Sequence, residues 1–175
     1  MKNALLSPAL FFAAFGISLT VHADYTVQMN LVDADGVGKS IGQVTVSEAG
    51  QGTLFTPSLS DLPPGMHGFH VHAKPSCEPA EKSGAMEPAE GAGSHYEADK
   101  NPKHAGPSGD GHRGDLPVLA VASDGTATQP VLAPRLKLNE LAGKSLMIHA
   151  GGDNYSDKPH PSGGGGKRIA CGIIK

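Results

Sequence analysis

Tyr25-Thr26-Val27-Gln28-Met29-Asn30-Leu31 is the stretch in which the pattern of the chain first becomes clear. Its apolar side chains all fall on one parity, and its polar side chains fall on the other. Because successive side chains of a β-strand point to opposite faces, this alternation predicts a strand with one buried face and one solvated face. An Asp35-Gly36 pair follows, and such a pair is typical of a turn between strands.

The same signal returns along the rest of the chain in short segments. Seven further strands are predicted, at residues 41–48, 53–59, 66–72, 116–122, 126–133, 144–150 and 167–174. Eight short strands without a long amphipathic helix predict an all-β domain, built as an antiparallel sandwich or barrel. Pro130 cannot donate a hydrogen bond to a neighbouring strand, so its strand is expected to be an edge strand or an irregular one.

Two long segments break the pattern, at residues 73–115 and 151–166. They hold many of the glycines and prolines, of which the chain has 24 and 14. Long irregular loops inside a compact domain are uncommon and are usually functional. We therefore expect a rigid β scaffold that carries two functional loops. Residues 135–141 are predicted to form a short helical connection.

The N-terminus has the order of charge, apolar run and small residues that marks an export signal. Lys2 supplies the charge, residues 5–21 are mostly apolar, and Val21-His22-Ala23 resembles a cleavage site. The sequence predicts a signal peptide over residues 1–23 and a single domain over residues 24–175. A buried N-terminal helix is the alternative interpretation.

Charge and cysteine content narrow the class of protein further. The net charge of −3 and the absence of a lysine-rich helix predict no nucleic-acid partner and no binding to a membrane surface. Cys77 and Cys171 are the two cysteines. Export to an oxidising compartment favours a disulfide between them, and two buried free thiols are the alternative.

A histidine pair lies on the fourth predicted strand, in His70-Val71-His72. Residues two apart on a strand point to the same side, so both imidazoles face one site. Such a pair is a weak signal alone, since two nearby histidines often only decorate a surface. His149, at the end of another strand, could supply a third nitrogen. A site rich in imidazole with an open position suits copper.

The first long loop adds four potential ligands, which are His95, His104, His112 and Asp115. Three imidazoles and one carboxylate make a complete tetrahedral zinc set, and a set with four protein ligands is structural. Such a site would also order a loop that has few apolar residues of its own. A solvated, histidine-rich loop is the alternative.

Four motifs together resemble the copper–zinc superoxide dismutase family, in its bacterial periplasmic branch. They read GFHVH at 68–72, GHRGDLP at 111–117, MIHAGGDN at 147–154 and GGGKRIACG at 164–172. The resemblance implies an eight-stranded antiparallel Greek-key β-sandwich or flattened barrel with two long functional loops. It also implies one copper ion and one zinc ion per chain, superoxide as the substrate, and a periplasmic location. The assembly stays open between a monomer and a homodimer.

The resemblance further implies a role for individual residues. Copper is expected on His70, His72, His95 and His149, and zinc on His95, His104, His112 and Asp115, with His95 as the bridge. Arg168 and His95 are the expected catalytic residues. Asp153 is expected to hold the distal nitrogens of His70 and His104. A Cys77–Cys171 disulfide is expected to fix the loop that positions Arg168. His67 is expected to bond the backbone and His160 to be solvated.

Two other functions compete with this interpretation. A copper-binding or copper-storage protein would need the ligands but neither Arg168 nor an open copper position, and the presence of Arg168 and Asp153 weighs against it. A secreted zinc hydrolase would need an open zinc and a carboxylate base. The loop ligands form a closed set, and the sequence has no His-Glu-x-x-His helix.

Overall fold

A computed structural model describes residues 25–175, and these residues are almost entirely strands and loops. The eleven strands of this range are β1 (Tyr25–Asp33), β2 (Gly36–Glu48), β3 (Thr53–Leu59), β4 (Gly65–His67), β5 (Phe69–His72), β6 (Ala80–Lys82), β7 (Ala85–Glu87), β8 (Leu119–Val121), β9 (Val131–Ala133), β10 (Lys144–His149) and β11 (Arg168–Ile174). Three short 3₁₀ helices, at Glu90–Ala92, Leu138–Glu140 and Ser162–Gly164, complete the described elements. The predicted all-β class is confirmed.

Seven of the strands form one antiparallel sheet in the order β5-β10-β11-β1-β2-β3-β9. The last strand therefore lies beside the first, a return of the kind that a Greek key makes. Strands β4 and β8 form a separate ribbon, and β6 and β7 form a small hairpin inside the first long loop. Strand β9 lies at the sheet edge, as the preceding Pro130 predicts.

The alternation in β1 is found in the structure, but a bulge interrupts it. Val27 and Met29 are fully buried, as predicted. The pairing register of β1 with β2 shifts after Met29, and a β-bulge changes which side chains face inward. Leu31 is consequently only half-buried, whereas Val32 is 8% exposed and packs in a second apolar cluster around the two cysteines.

The main core lies on the inner face of the curled sheet. Phe55 of β3 and Phe69 of β5 are fully buried and meet edge to face, with ring centroids 6.0 Å apart. Such a contact adds to the transfer free energy that burial of the two rings already provides. Because Phe69 is a core residue and belongs to the same strand as His70 and His72, its packing helps to fix the position of that strand.

The predicted count of eight strands is wrong for the described range, for two physical reasons. The predicted strand 66–72 is divided at Gly68, whose N–H donates to Gly151 O at 2.8 Å and whose carbonyl accepts from His149 N at 2.9 Å. Strands β6 and β7 were not predicted, because each has only three residues and three residues are too few to show an alternation. The predicted helical connection is reduced to Leu138–Glu140.

The predicted signal peptide, residues 1–23, lies outside the described residues. Within residues 25–175, no helix has both the length and the apolar character that crossing a bilayer requires.

Candidate metal centre

The first long loop is drawn onto β5 by backbone hydrogen bonds. Tyr96 N donates to Val71 O at 2.8 Å, and Val71 N donates to Gly114 O at 2.8 Å. Two isolated β-bridges, between His72 and His95 and between His70 and Asp115, extend the contact. The backbone of β5 therefore brings the middle and the C-terminal end of the loop to the strand that carries the histidine pair.

Four buried imidazoles form the first group, from His70, His72, His95 and His149. One nitrogen from each lies within 4.8 Å of the others. Three of the rings are fixed through the opposite nitrogen: His70 Nε2 donates to Asp153 Oδ2 at 2.7 Å, His72 Nδ1 to Gly93 O at 2.8 Å and His149 Nδ1 to Gly166 O at 3.1 Å.

The remaining nitrogens of these three rings are buried and have no hydrogen-bond partner in the described part of the chain. They are His70 Nδ1, His72 Nε2 and His149 Nε2. Burying a nitrogen lone pair without a partner costs free energy, so these three nitrogens indicate a place for a bound cation. Metal-binding histidines show this arrangement, in which one nitrogen is held by the protein and the other is left for the ion.

A second group shares two members with the first and consists of His70, His95, His104 and Asp115. Asp115 Oδ1 lies 2.9 Å from His95 Nδ1, and Asp115 Oδ2 lies 3.0 Å from His104 Nδ1. The Nδ1 of His104 carries a lone pair when Nε2 donates elsewhere. Two lone pairs facing each other at this distance repel unless a cation lies between them, so the contact indicates a proton or a metal ion.

The structure places His112 beside this second group and not within it. Its Nδ1 lies 3.3 Å from Asp115 Oδ1, and its ring centroid lies 5.3 Å from that of His95. His112 Nε2 faces Glu97 Oε1 at 3.6 Å. The assignment of His112 as a ligand therefore stays a prediction.

Asp153 connects the two groups by a hydrogen bond to one ring of each. Its Oδ2 accepts from His70 Nε2 at 2.7 Å, and its Oδ1 accepts from His104 Nε2 at 2.8 Å. The Asp153 side chain is fully buried, and so are the side chains of both histidines. One carboxylate thus sets the tautomer and orientation of one ring in each group, which is the contact that the family resemblance implies.

Arg168 lies at the wall of a cavity of about 760 Å³ that opens onto the histidines. Its guanidinium donates to Ala89 O at 2.6 Å and to Gly93 O at 2.8 Å. Gly93 O also accepts from His72, so Arg168 and His72 are held by the same carbonyl. The same cavity is lined by His72, His95 and His149, which leaves the first group accessible to a small solute.

Known proteins with similar sequences indicate the family of this chain. A family model described as copper/zinc superoxide dismutase matches residues 40–174. The chain belongs to this family. Superoxide dismutase [Cu-Zn] of Escherichia coli strain K12 is 57% identical over 154 residues, which cover 87% of this chain and 89% of the relative. Superoxide dismutase [Cu-Zn] 2 of Salmonella typhimurium strain LT2 is 54% identical over 176 residues and the full length of both.

Solved structures of the family have the same fold. Cu/Zn superoxide dismutase from Brucella abortus superposes with a TM-score of 0.84 at 52% identity, covering 86% of this chain and 98% of that one. The monomeric copper, zinc superoxide dismutase from Salmonella enterica superposes with a TM-score of 0.77 at 60% identity, covering the same shares.

The donor types of the two groups fit the two metals of the family. The first group offers imidazole nitrogens alone and faces a cavity, which suits copper. The second adds the Asp115 carboxylate to imidazoles and is buried, which suits a closed zinc site. His95 is a member of both groups.

Burial keeps the first group neutral and therefore ready to bind a cation. It lowers the pKa of His149 to about 4 and holds the pKa values of His70 and His72 well below the ordinary value of 6.5. His104 behaves differently. Burial disfavours its charged form, but hydrogen bonds with Asp115 and Asp153 outweigh burial and raise the pKa of His104 to about 9. Metal binding in the second group must displace that proton.

These shifts predict how the metal-free protein responds to acid. The pKa of His149 is lower in the folded state than the unfolded value of 6.5, so its contribution to stability is present above pH 6.5 and is lost as pH falls through about 4. Its shift alone corresponds to roughly 3 kcal/mol of unfolding free energy. Urea unfolding of metal-stripped protein between pH 7 and pH 4 measures the loss, and His149→Gln should make it smaller. A stability that is flat over this range would contradict the prediction.

The predicted disulfide is present. Cys77 and Cys171 are joined, with an S–S distance of 1.97 Å and a Cα–Cα distance of 5.7 Å across 94 positions of the sequence. The bond lies in the second apolar cluster, against the buried side chains of Val32, Ala89 and Met147. It ties the segment that provides Ala89 O to β11, the strand that begins at Arg168.

The two remaining histidines of the described residues have the surroundings expected of them, for His67 from the family resemblance and for His160 from its polar segment. Both ring nitrogens of buried His67 lie 2.7 Å from backbone carbonyl oxygens, those of His149 and Pro63, and His67 belongs to neither group. His160 is exposed.

Sequence reasoning missed the backbone partners of this site. Asp157 Oδ2 accepts from His104 N at 2.9 Å, and Gly93 O accepts from two side chains. A carbonyl acceptor carries no sequence signal, and Asp157 is one polar residue in a polar loop.

Proposed function

We propose that this chain is a copper–zinc superoxide dismutase that converts superoxide to oxygen and hydrogen peroxide. The observation that supports this most directly is the set of three buried imidazoles whose unpartnered nitrogens lie close together, two of them on rings that line the same cavity as Arg168. The second candidate, copper storage, has no use for a guanidinium fixed by two carbonyls beside an accessible site.

The metal assignment follows the two groups and the family resemblance. Copper would be held by His70, His72, His95 and His149, and zinc by His95, His104, His112 and Asp115. When bound, copper supplies the alternating one-electron reduction and oxidation that turn two superoxide ions into one dioxygen and one peroxide. Zinc has no redox chemistry and would fix His95 and the loop.

The residues of the chain supply binding, orientation and protons. Arg168 attracts the anion and orients it, because its guanidinium stays charged and is anchored on Ala89 O and Gly93 O. His95 has Nδ1 against Asp115, so Nε2 is the nitrogen that can hold a proton on the cavity side and pass it to the reduced product. Asp153 keeps His70 and His104 in one tautomer throughout.

We propose that residues 1–23 direct the chain to the periplasm and that residues 24–175 form the mature enzyme. An oxidising compartment agrees with the Cys77–Cys171 bond. There the enzyme would protect against superoxide. The assembly is a monomer or a homodimer, and sedimentation of the metallated protein distinguishes the two.

Metal analysis followed by a superoxide assay tests the proposal. One copper and one zinc per chain are expected, with superoxide consumption that a copper chelator abolishes and added copper restores. Copper storage predicts metal uptake without consumption. A protein that carries both metals and does not consume superoxide would overturn the proposed function.

A further inference from the structure

The charged side chains that line the cavity at the first group are balanced in sign. Its ionisable lining residues besides histidine are three carboxylates and three cations, namely Glu87, Glu90, Glu97, Lys82, Lys167 and Arg168. The lining thus has no excess of positive charge with which to attract an anion. The attraction that an anion experiences must depend on which of these charges neutralise one another.

Glu90 is the carboxylate that contacts Arg168. Its Oε2 lies 3.2 Å from Arg168 Nη1, and the two side chains are only 22% and 12% exposed. Solvent therefore screens this pair less than it screens a surface pair. Arg168 is already anchored by Ala89 O and Gly93 O, so the carboxylate adds negative charge to a guanidinium whose position is fixed without it.

Glu90 is itself shared between two cations. Its other oxygen, Oε1, lies 3.1 Å from Lys82 Nζ, at the end of β6. Lys82 is 59% exposed and approaches from the solvent side. One carboxylate thus lies between a guanidinium on the cavity wall and an ammonium toward solvent. Lys82 offsets the negative charge that Glu90 presents to Arg168.

We propose that the charge of Glu90 weakens the attraction of Arg168 for the anionic substrate, and that Lys82 reduces this effect. The proposal rests on the proposed function for its substrate. It makes opposite predictions for the two partners of one ion pair, since removing Glu90 strengthens the attraction and removing Lys82 weakens it. A purely structural role for the pair would make both substitutions act in the same direction.

The substitution Glu90→Gln keeps the shape of the side chain and removes its charge. In the copper- and zinc-loaded full-length mature protein, we expect kcat/KM for superoxide to rise about threefold at low ionic strength. Lys82→Gln should lower it about twofold under the same conditions. At about 0.5 M salt, where charges are screened within a few ångströms, all variants should converge. Glu48→Gln removes the same charge outside this cavity and is the matched control.

Azide binding to the oxidised, copper-loaded protein gives a readout that does not depend on turnover. As an anionic probe, azide should bind about threefold more tightly to Glu90→Gln and about twofold more weakly to Lys82→Gln at low salt. The proposal is overturned if Glu90→Gln is no faster than the unsubstituted protein, if its advantage persists at high salt, or if it loses either metal. If the unsubstituted protein consumes no superoxide, the proposed function fails alone, and azide still tests the role of Glu90.

Discussion

Replacing Arg168 by glutamate should lower kcat/KM for superoxide by about 100-fold while both metals stay bound. The substitution removes the cation beside the first group and places a second carboxylate next to Glu90. Arg168 acts on the group at close range: burial is the main cause that lowers the pKa of His72, and the neighbouring His95 and Arg168 lower it further. Pulse radiolysis at low salt, with metal content measured on the same sample, checks the result.

Two milder substitutions separate charge from shape at this position. Arg168→Lys keeps a positive charge but loses the planar fork that reaches both carbonyls, so we expect a loss of about tenfold. Arg168→Gln removes the charge and should fall between lysine and glutamate. If Arg168→Glu released copper or zinc, Arg168 would be a structural residue, because it belongs to neither ligand group.

Local sequence patterns predicted the scaffold well where strands are long. The alternation of β1 places Val27 and Met29 in the core, and the edge position of β9 follows from Pro130. The bulge after Met29 was not predictable, because it depends on how β1 pairs with β2 and not on β1 alone. Strand register is a tertiary property, so a local pattern cannot show where it shifts.

Some of the functional side chains were predictable from the sequence, whereas the backbone groups that hold them in place were not. The spacing of His70 and His72 determines that they share a face of β5, and both lie in the first group. That His95 belongs to both groups came from the family resemblance, since no spacing brings a loop residue to a particular place. Gly93 O and Ala89 O, which hold Arg168, are backbone atoms. Glu90 is one of several charged residues in an irregular loop, so no local pattern distinguishes it from the others.

His70 and His95 belong to both groups, and Asp153 bonds to a ring of each. It is therefore a question whether a substitution can remove one metal without the other. Asp153 holds a ring from each group, so a change there should disturb both. His149 offers the cleaner test. It belongs to the first group only. Its Nδ1 is held by Gly166 O and not by Asp115 or Asp153.

Substituting His149 by alanine should therefore remove copper and leave zinc in place. Loss of a direct ligand should weaken copper affinity by more than about 100-fold, since changes to the outer partners of a ligand alone cost 10- to 100-fold. Zinc affinity should change by less than about threefold, because the contacts of Asp115 with His95 and His104 are untouched. Competition with chelators of known affinity measures each metal separately.

The complementary variants make the result specific. Alanine in place of His104 removes a ring of the second group, whose Nδ1 faces Asp115 at 3.0 Å, and should reduce zinc affinity first. Alanine in place of exposed His160 should change neither metal. Equal loss of copper and zinc in His149→Ala, with His160→Ala unaffected, would mean that the seven predicted ligands form one cooperative unit and that the division into a copper group and a zinc group is wrong. Copper loss alone would establish that the division is physical, with the β10 histidine committed to one side of it.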